Sequence, residues 1–247
     1  MYQYDAQIKA LEEKLKQQAQ QANVRQKSQI NQINQTTQTN LNSTVLQQQT
    51  TQQAKDNSGN NDNNNNDEPV LLNVPYINQY HQVGEMAYEA SSLLEALHFK
   101  GYATNYSLAS FIQTMPISAS GNPNEGFGGS YQTVVANVFQ SIYPAPLATW
   151  GQKFSNVRNI SGASLEDLKQ QLRAGNPVVV YVTLHFAAPK YHQYFWGTGI
   201  DNSHVMTLDG FKPGYYHVVD PAADSYWVLE NSLAYSYNLT RYAVVIA

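Results

Sequence analysis

The sequence from Pro69 to Ala247 predicts an α+β fold, with an antiparallel sheet packed against a helical half that precedes it in the chain. All three Trp, all eight Phe and 16 of the 18 Tyr lie in this part, which therefore has the apolar side chains that a core needs. Segments with helical periodicity come first, and short apolar strands at hairpin spacing follow them. This order of elements is typical of α+β domains.

Residues 1–68 differ sharply in composition, because Gln, Asn and Thr dominate and Phe and Trp are missing. Such a segment buries too little apolar surface to offset the entropy of ordering, so we place a domain boundary at Glu68/Pro69. Apolar residues recur three and four positions apart between Asp5 and about Lys27, which predicts an amphipathic helix or the start of a coiled coil. A solvated single helix explains the same pattern. We call residues 1–68 the stalk. After the predicted helix it consists of low-complexity sequence followed by a flexible Asn-rich linker.

Composition and charge exclude several classes of function. The net charge of −4 and the pI of about 5.8 argue against nucleic-acid binding. No apolar run reaches the roughly 18 residues that span a bilayer, so we expect no membrane span. We also expect no signal peptide in this sequence, because no apolar segment follows Met1. Cysteine is absent, which rules out disulfides, cysteine-ligated metals and a thiolate nucleophile.

Periodicity and capping signals place the elements of the globular part. Tyr88 to Lys100 is predicted to be a helix because its leucines share one face and Gly101 follows. Further helices are predicted at 107–114, 131–143 and 165–173, the last of them capped by Ser164. An apolar strand is expected to begin at Val70, and later strands at 177–184, 204–211, 215–221, 225–229 and 241–247.

A helix followed by a sheet that carries a His and then an Asp is the layout of papain-like enzymes. In those enzymes the nucleophile lies at the helix N-terminus, where the helix dipole stabilises a thiolate. The His acts as general base, an Asn or Asp orients it, and an upstream Gln donates to the oxyanion.

Five segments carry a more specific resemblance. In chain order they are LNVPYINQ (72–79), YEASSLLEALHFKG (88–101), AGNPVVVYV (174–182), SHVMTLDGF (203–211) and YYHVVDP (215–221). Together they resemble the double-glycine, bacteriocin-processing type of cysteine peptidases and their exported peptidase-like relatives. The resemblance covers most of 69–247 and implies a papain-like fold. It does not extend to the N-terminal stalk.

The resemblance also implies the site residues. Gln79 corresponds to the oxyanion donor, His204 to the general base and Asp220 to its orienting partner. Counting back from the helix-ending Gly101 places the family's cysteine at Tyr88, whereas counting forward from Gln79 places it at Ala87. We favour Tyr88, because the family's Ala, Ser and Leu then coincide with those at 90, 92 and 93.

Neither Tyr nor Ala replaces a thiolate, since a phenol ordinarily has a pKa near 10. We therefore expect the chain to be inactive as a cysteine peptidase. Ser91 and Ser92 lie one turn into the helix and are expected to serve packing rather than catalysis. His204 and Asp220 also have ordinary interpretations, as a structural hydrogen-bonding His and a turn-initiating Asp.

Other candidate residues carry weaker signals. His185 and His192 form a candidate metal pair without an accompanying carboxylate motif, so no metal or other cofactor is predicted. The glycine-rich loop at 121–130 lacks the Gly-Lys-Ser/Thr ending of a phosphate-binding loop. His217 is expected to be a strand-face residue. Aromatic residues between Phe186 and Trp196 are expected in a loop, where they either cover the core or form a ligand platform.

Three functional hypotheses follow. The first is a degenerate peptidase-like domain that binds a peptide, a protein or a cell-wall component. The second is an inactivated, Cys-substituted form of an active cysteine peptidase. The third is a structural surface protein whose stalk self-associates. Low charge, the absence of cysteine and the Gln/Asn/Thr-rich stalk favour an exported bacterial protein, at the cell surface or outside the cell.

Overall fold

A computed structural model describes residues 68–247 of the chain. The predicted stalk helix, linker and self-association concern residues outside the described part and remain predictions. No helix within 68–247 is both long and apolar enough to cross a bilayer.

The architecture is α+β, as predicted. Six helices lie in the described part: α1 (Gln79–Gln82), α2 (Tyr88–Phe99), α3 (Leu108–Ile112), α4 (Pro144–Gly151), α5 (Leu165–Arg173) and α6 (Glu230–Tyr237). The strands are β1 (Val70–Leu71), β2 (Val157–Asn159), β3 (Val178–Thr183), β4 (Tyr191–Tyr194), β5 (Gly197–Ile200), β6 (Ser203–Lys212), β7 (Tyr215–Val219), β8 (Ser225–Leu229) and β9 (Ala243–Ile246).

The main sheet is antiparallel and runs in the order β2-β9-β3-β6-β7-β8, with the short β1 paired to β6. Its central strands have no polar outer face, because all six residues of β3 are buried. Side chains of β3 alternate between two apolar clusters, so Val179 and Tyr181 face one side of the sheet and Val180 and Val182 face the other.

Helices cover both faces of this sheet. Helix α2 packs on one face together with α3 and α4, in the cluster that contains Leu93 and Leu97. Helices α5 and α6 cover the opposite face through side chains such as Leu168 and Leu233. The sequence predicted the first layer and the capped helix α5, whose Ser164 accepts a hydrogen bond from the N–H of Asp167.

The prediction of a helix over 131–143 is wrong. This segment is an irregular loop in which Asn137 has a φ of 60°. The side chain of Gln140 organises it: the amide oxygen accepts from the N–H of Val135 at 2.6 Å, and the amide nitrogen donates to the carbonyl oxygens of Ser130 and Thr133. The segment has helical periodicity, but its β-branched residues are poor helix formers. The hydrogen bonds of Gln140 stabilise a loop instead.

The aromatic segment before His204 is a β-hairpin rather than a loop. Strands β4 and β5 pair in register from Tyr191 with Ile200 to Tyr194 with Gly197. The rings of Tyr194 and Trp196 stack 5.1 Å apart, and Phe139 from the preceding loop packs against both. Cross-strand and same-face aromatic packing stabilises short hairpins, and this packing fixes the hairpin against the 131–143 segment.

Candidate functional site

The site is built around the start of helix α2, which places Tyr88 at its first position. Ala87 is the N-cap residue and is buried, but its side chain has no polar atom with which to cap the helix. Helix α2 is almost wholly buried between the sheet and α3, and it packs on β6, the strand that carries His204.

His204 and Asp220 form a buried pair. His204 is the second residue of β6, and Asp220 directly follows β7, its neighbour in the sheet. The imidazole Nε2 lies 2.7 Å from Asp220 Oδ1, and only 1% of the His204 side chain is exposed. The structure thus brings together two residues that are 16 positions apart in sequence and that were chosen for this relationship.

Two further donors hold the Asp220 carboxylate. Oδ1 also accepts the N–H of Ala222 at 3.0 Å, and Oδ2 accepts the hydroxyl of Tyr226 at 3.1 Å. Burial alone raises the pKa of Asp220, but the hydrogen bonds and the charge interaction with His204, together with the bonds from Ala222 and Tyr226, outweigh it and leave the pKa below its ordinary value. The carboxylate is therefore ionised at neutral pH and suited to orient an imidazole.

The other imidazole nitrogen, His204 Nδ1, is buried and has no hydrogen-bond partner among the described residues. The ring of Tyr88 packs against the imidazole in an edge-to-face arrangement with centroids 5.0 Å apart. In a papain-like cysteine peptidase a thiol at the start of the helix pairs with the imidazole. Here the ring of Tyr88 faces the imidazole.

The phenol of Tyr88 is unsuited to nucleophilic attack. Its hydroxyl donates to the sulfur of Met86 at 2.8 Å, which directs it away from a proton acceptor of useful basicity. Burial, with a smaller contribution from the charge of Glu89, raises the pKa of Tyr88 well above its ordinary value. The phenolate is thus negligible at physiological pH.

Gln79 is fully buried at the start of α1, which Asn78 caps. Its backbone N–H donates to the carbonyl oxygen of Pro221 at 3.1 Å, so α1 is tied to the turn that carries Asp220. Its side-chain Nε2 donates to the carbonyl oxygen of Glu85 at 2.8 Å, while Oε1 has no partner among the described residues. The amide is therefore held in the loop that leads to Tyr88.

Ser91 and Ser92 do not take the place of the thiol. Both are fully buried. The hydroxyl of Ser91 donates to the carbonyl oxygen of Ala87 one turn back, and that of Ser92 donates to the carbonyl oxygen of Val205 on β6. These bonds fix the helix to itself and to the sheet, as the packing interpretation of the sequence expected.

The remaining histidines lie outside the pair. His192 Nδ1 is 3.2 Å from Asp201 Oδ2, and its ring stacks on Tyr194. His185 is in a 3₁₀ turn with a φ of 57°. Residues 68–247 contain no cluster of three or more His, Cys, Asp or Glu side chains able to hold a metal ion.

A pocket of about 220 Å³ opens beside Tyr88. The 134–141 loop and the β4–β5 hairpin form much of its wall, and Glu89 and Ser203 also line it. Because Tyr88 of α2 and Val205 of β6 also line the pocket, it lies where this helix meets this strand.

Sequence reasoning missed the buried carboxyl groups around this site. Glu89 and Glu95 both lie on α2 and are 1% and 0% exposed. Asp209 is buried on β6 and pairs with His217 at 2.6 Å, so His217 is more than a strand-face residue. Two acidic residues within a helix of mostly apolar and small side chains are the signal that points to Glu89 and Glu95.

A helix N-terminus beside a buried His–Asp pair on an antiparallel sheet defines the scaffold of papain-like cysteine peptidases. The chain belongs to the Peptidase_C39 like family, whose model matches residues 71–245. The stalk is outside that match.

Two further proteins are similar to this chain. The crystal structure of a protein from Bacillus anthracis, assigned as a C39-like peptidase, superimposes with a TM-score of 0.65 at 24% identity. The match covers 73% of this chain and 98% of that one, and it shows a shared fold. The uncharacterized protein YvpB of Bacillus subtilis (strain 168) is 28% identical over 146 residues, or 54% of this chain. The match spans only 57% of that relative's length.

Proposed function

We propose that residues 69–247 form a ligand-binding domain derived from a cysteine peptidase and lacking peptidase activity. The observation that carries this proposal is the pairing of Tyr88 with His204. The His–Asp pair is in place, but an aromatic ring rather than a thiol faces it. Removal of a triad nucleophile leaves only a residual rate enhancement of roughly 10³–10⁴ over the uncatalysed reaction.

The ligand we propose is a peptide, a peptide segment of a protein or a peptide-bearing cell-wall component. The pocket beside Tyr88 supports this proposal, because a peptidase scaffold without its nucleophile still presents a cleft for an extended chain. Exposed apolar side chains at its rim, Val134 and Val135, supply contact area. We further propose that the domain works outside the cell, which its cysteine-free composition permits.

Blocking the pocket tests this function. Ala136 is exposed and lines the pocket, so Ala136→Trp fills the mouth without disturbing the core. Ala109→Trp, at an exposed position of α3 that does not line the pocket, is the matched control. Ligands are selected with the wild-type chain from a random peptide display library, and binding to purified peptidoglycan sacculi is measured in parallel.

We expect the selected peptides to bind the wild type and the control alike. They should bind Ala136→Trp more weakly, by about tenfold or a larger factor. Binding to sacculi alone, lost in the same variant, assigns the ligand to the cell wall. If no peptide and no sacculi bind, or if binding survives in Ala136→Trp, the proposed function is wrong.

A second candidate is an inactivated form of an active peptidase. The retention of Gln79, His204 and Asp220 in one buried neighbourhood favours it, since a binding role does not by itself need an ionised carboxylate behind an imidazole. Peptidase activity in Tyr88→Cys, tested on the peptides selected above, distinguishes this history from a long-standing binding role.

A further inference from the structure

The pocket beside Tyr88 is lined in part by a buried acidic residue, Glu89. It is 1% exposed and lies immediately after Tyr88 in the first turn of α2. Its Oε1 accepts the hydroxyl of Ser141 at 2.5 Å and the N–H of Ile142 at 3.3 Å, so this oxygen fastens the 134–141 loop to the helix. Its Oε2 is buried and has no hydrogen-bond partner among the described residues. A buried carboxyl oxygen without a hydrogen-bond partner costs free energy. A ligand group that donates a hydrogen bond to this oxygen would remove that cost.

The other polar groups of the pocket do not neutralise Glu89. Asp201 adds a second carboxylate, which is shared between the hydroxyl of Tyr194 at 2.7 Å and His192. Tyr88 and Tyr194 are phenols whose pKa values burial raises, so they carry no charge at neutral pH. Among the described residues that line the pocket, none is Lys or Arg.

We propose that this pocket binds a primary ammonium group of a peptide, with Glu89 as its counter-ion and Asp201 as a second attractive charge. The inference rests on the proposed function, because it names the chemical group that the retained pocket takes. An ammonium group has three donors and a full positive charge. It supplies both the hydrogen bond that Oε2 lacks and a permanent positive charge, which no Lys or Arg of the pocket wall provides.

The electrostatics of the empty pocket agree with this assignment. Burial raises the pKa of Glu89 to about 7, against the opposing effects of the hydrogen bonds from Ser141 and Ile142. Tyr181, which packs near this carboxyl group from β3, has its pKa raised by burial and in part by the charge of Glu89. A buried carboxylate in such surroundings is stabilised when a cation binds beside it.

Three C-terminally amidated tripeptides test the proposal at about pH 7.5, which lies between the raised pKa of Glu89 and the ordinary α-amino pKa of about 8. Ala-Ala-Ala-amide offers an N-terminal ammonium, acetyl-Ala-Lys-Ala-amide offers a side-chain ammonium, and acetyl-Ala-Leu-Ala-amide offers neither. We expect at least one of the two ammonium peptides to bind the full-length chain about tenfold more tightly than the leucine peptide, since charge-assisted hydrogen bonds in a desolvated pocket are strong. Which one binds decides between a peptide N-terminus and a lysine side chain.

Two variants assign the effect to the pocket. Glu89→Gln keeps the acceptor for Ser141 and removes the charge, so the preference for the ammonium peptide should fall to about twofold or less. Glu68→Gln, an exposed position that does not line the pocket, is the matched control and should keep the full preference. Asp201→Asn should lower the preference for the ammonium peptide about threefold. This second variant tests the proposal if Glu89→Gln does not fold.

Equal binding of all three peptides, or an unchanged preference in Glu89→Gln or Asp201→Asn, would overturn the ammonium site. If all three peptides bind equally and Ala136→Trp abolishes their binding, the ammonium proposal fails while the binding function stands. If no tripeptide binds at millimolar concentration, the ammonium proposal also fails, and the library selection decides the binding function by itself.

Discussion

The ring of Tyr88 stands edge-on to the imidazole of His204, with 5.0 Å between the two centroids. The first residue of a buried helix and the second residue of a central strand are thereby held in contact. This contact links the helical half of the domain to its sheet, and it supports the prediction that position 88 corresponds to the missing nucleophile.

The first prediction concerns the register of the missing nucleophile. The chain has no cysteine, so a thiol introduced by Tyr88→Cys is the only one in the molecule. We expect its pKa to lie about one unit or more below the ordinary value near 8.5, because the helix N-terminus and His204 both favour a thiolate. The pH dependence of alkylation by iodoacetamide measures this pKa.

Ala87→Cys is the matched control for that experiment, because Ala87 is the other position that the sequence left open. Its thiol shares the helix N-terminus, so its pKa should be lowered less than that at position 88, and His204→Ala should reduce the depression at position 88. A larger depression at 87 than at 88, or one at 88 that is undiminished without His204, contradicts the assignment of Tyr88.

The second prediction concerns Asp220 and acid stability. Its folded-state pKa is depressed, so the stabilisation is present above the unfolded carboxyl pKa of about 4 and is lost as the pH falls through the lower folded value. Asp220→Asn should lower the free energy of unfolding at neutral pH by about 1–3 kcal/mol, and the difference from wild type should shrink in acid. Urea unfolding at several pH values measures it.

Asp224→Asn, on the same turn but exposed, is the control and should change stability by less than about 0.5 kcal/mol. A difference between Asp220→Asn and wild type that stays constant from neutral pH to acid would mean that the carboxylate has no depressed pKa.

The third prediction concerns Glu89, whose contribution to stability changes with pH in the direction opposite to that of Asp220. Its folded-state pKa of about 7 lies above the unfolded value, so the folded chain keeps a proton that the unfolded chain has lost between about pH 4.5 and 7. Wild-type stability should therefore fall as the pH rises through this window, by up to about 3 kcal/mol from this group. Glu89→Gln cannot titrate, so its unfolding free energy should fall less steeply. Parallel curves for the two proteins would show that Glu89 has an ordinary pKa.

The fourth prediction concerns the hairpin that forms one wall of the pocket. A Cβ at Gly199 would lie 2.9–3.0 Å from the rings of Tyr194, Phe139 and Trp196. Gly199→Ala should thus destabilise the domain by about 1–3 kcal/mol and shift the tryptophan emission, because overpacking displaces rings that stack closely. Thr198→Ala, at an exposed neighbouring position, should change stability by less than about 0.5 kcal/mol. Unaltered emission and stability in Gly199→Ala would mean that the ring cluster is loosely packed.

The sequence predicted the elements whose signals are local. Helix α2 ends before Gly101 as expected, and the strand that carries His204 runs from Ser203 to Lys212. The helix expected over 131–143 failed because periodicity does not reveal side-chain to backbone bonds such as those of Gln140, which stabilise a loop instead. The hairpin was missed because its aromatic residues are stabilised by packing against Phe139, a residue distant in sequence.

The same distinction applies to the site. Gln79, His204 and Asp220 were chosen from short motifs, and His204 and Asp220 are indeed in hydrogen-bond contact. Glu89 escaped notice because the one local signal, an acidic residue in a largely apolar helix, does not reveal what buries it. Its environment depends on Ser141 and Ile142, which lie about 50 positions away in the chain.

We propose that the buried His204–Asp220 pair does not serve hydrolysis, and one measurement tests this most directly. A proteome-derived peptide library is incubated with the wild-type chain and with His204→Ala, and newly formed peptide termini are counted by mass spectrometry. We predict the same background number of new termini for both proteins. Cleavage by the wild type that disappears in His204→Ala would contradict the claim, since it would require a nucleophile that acts through this imidazole.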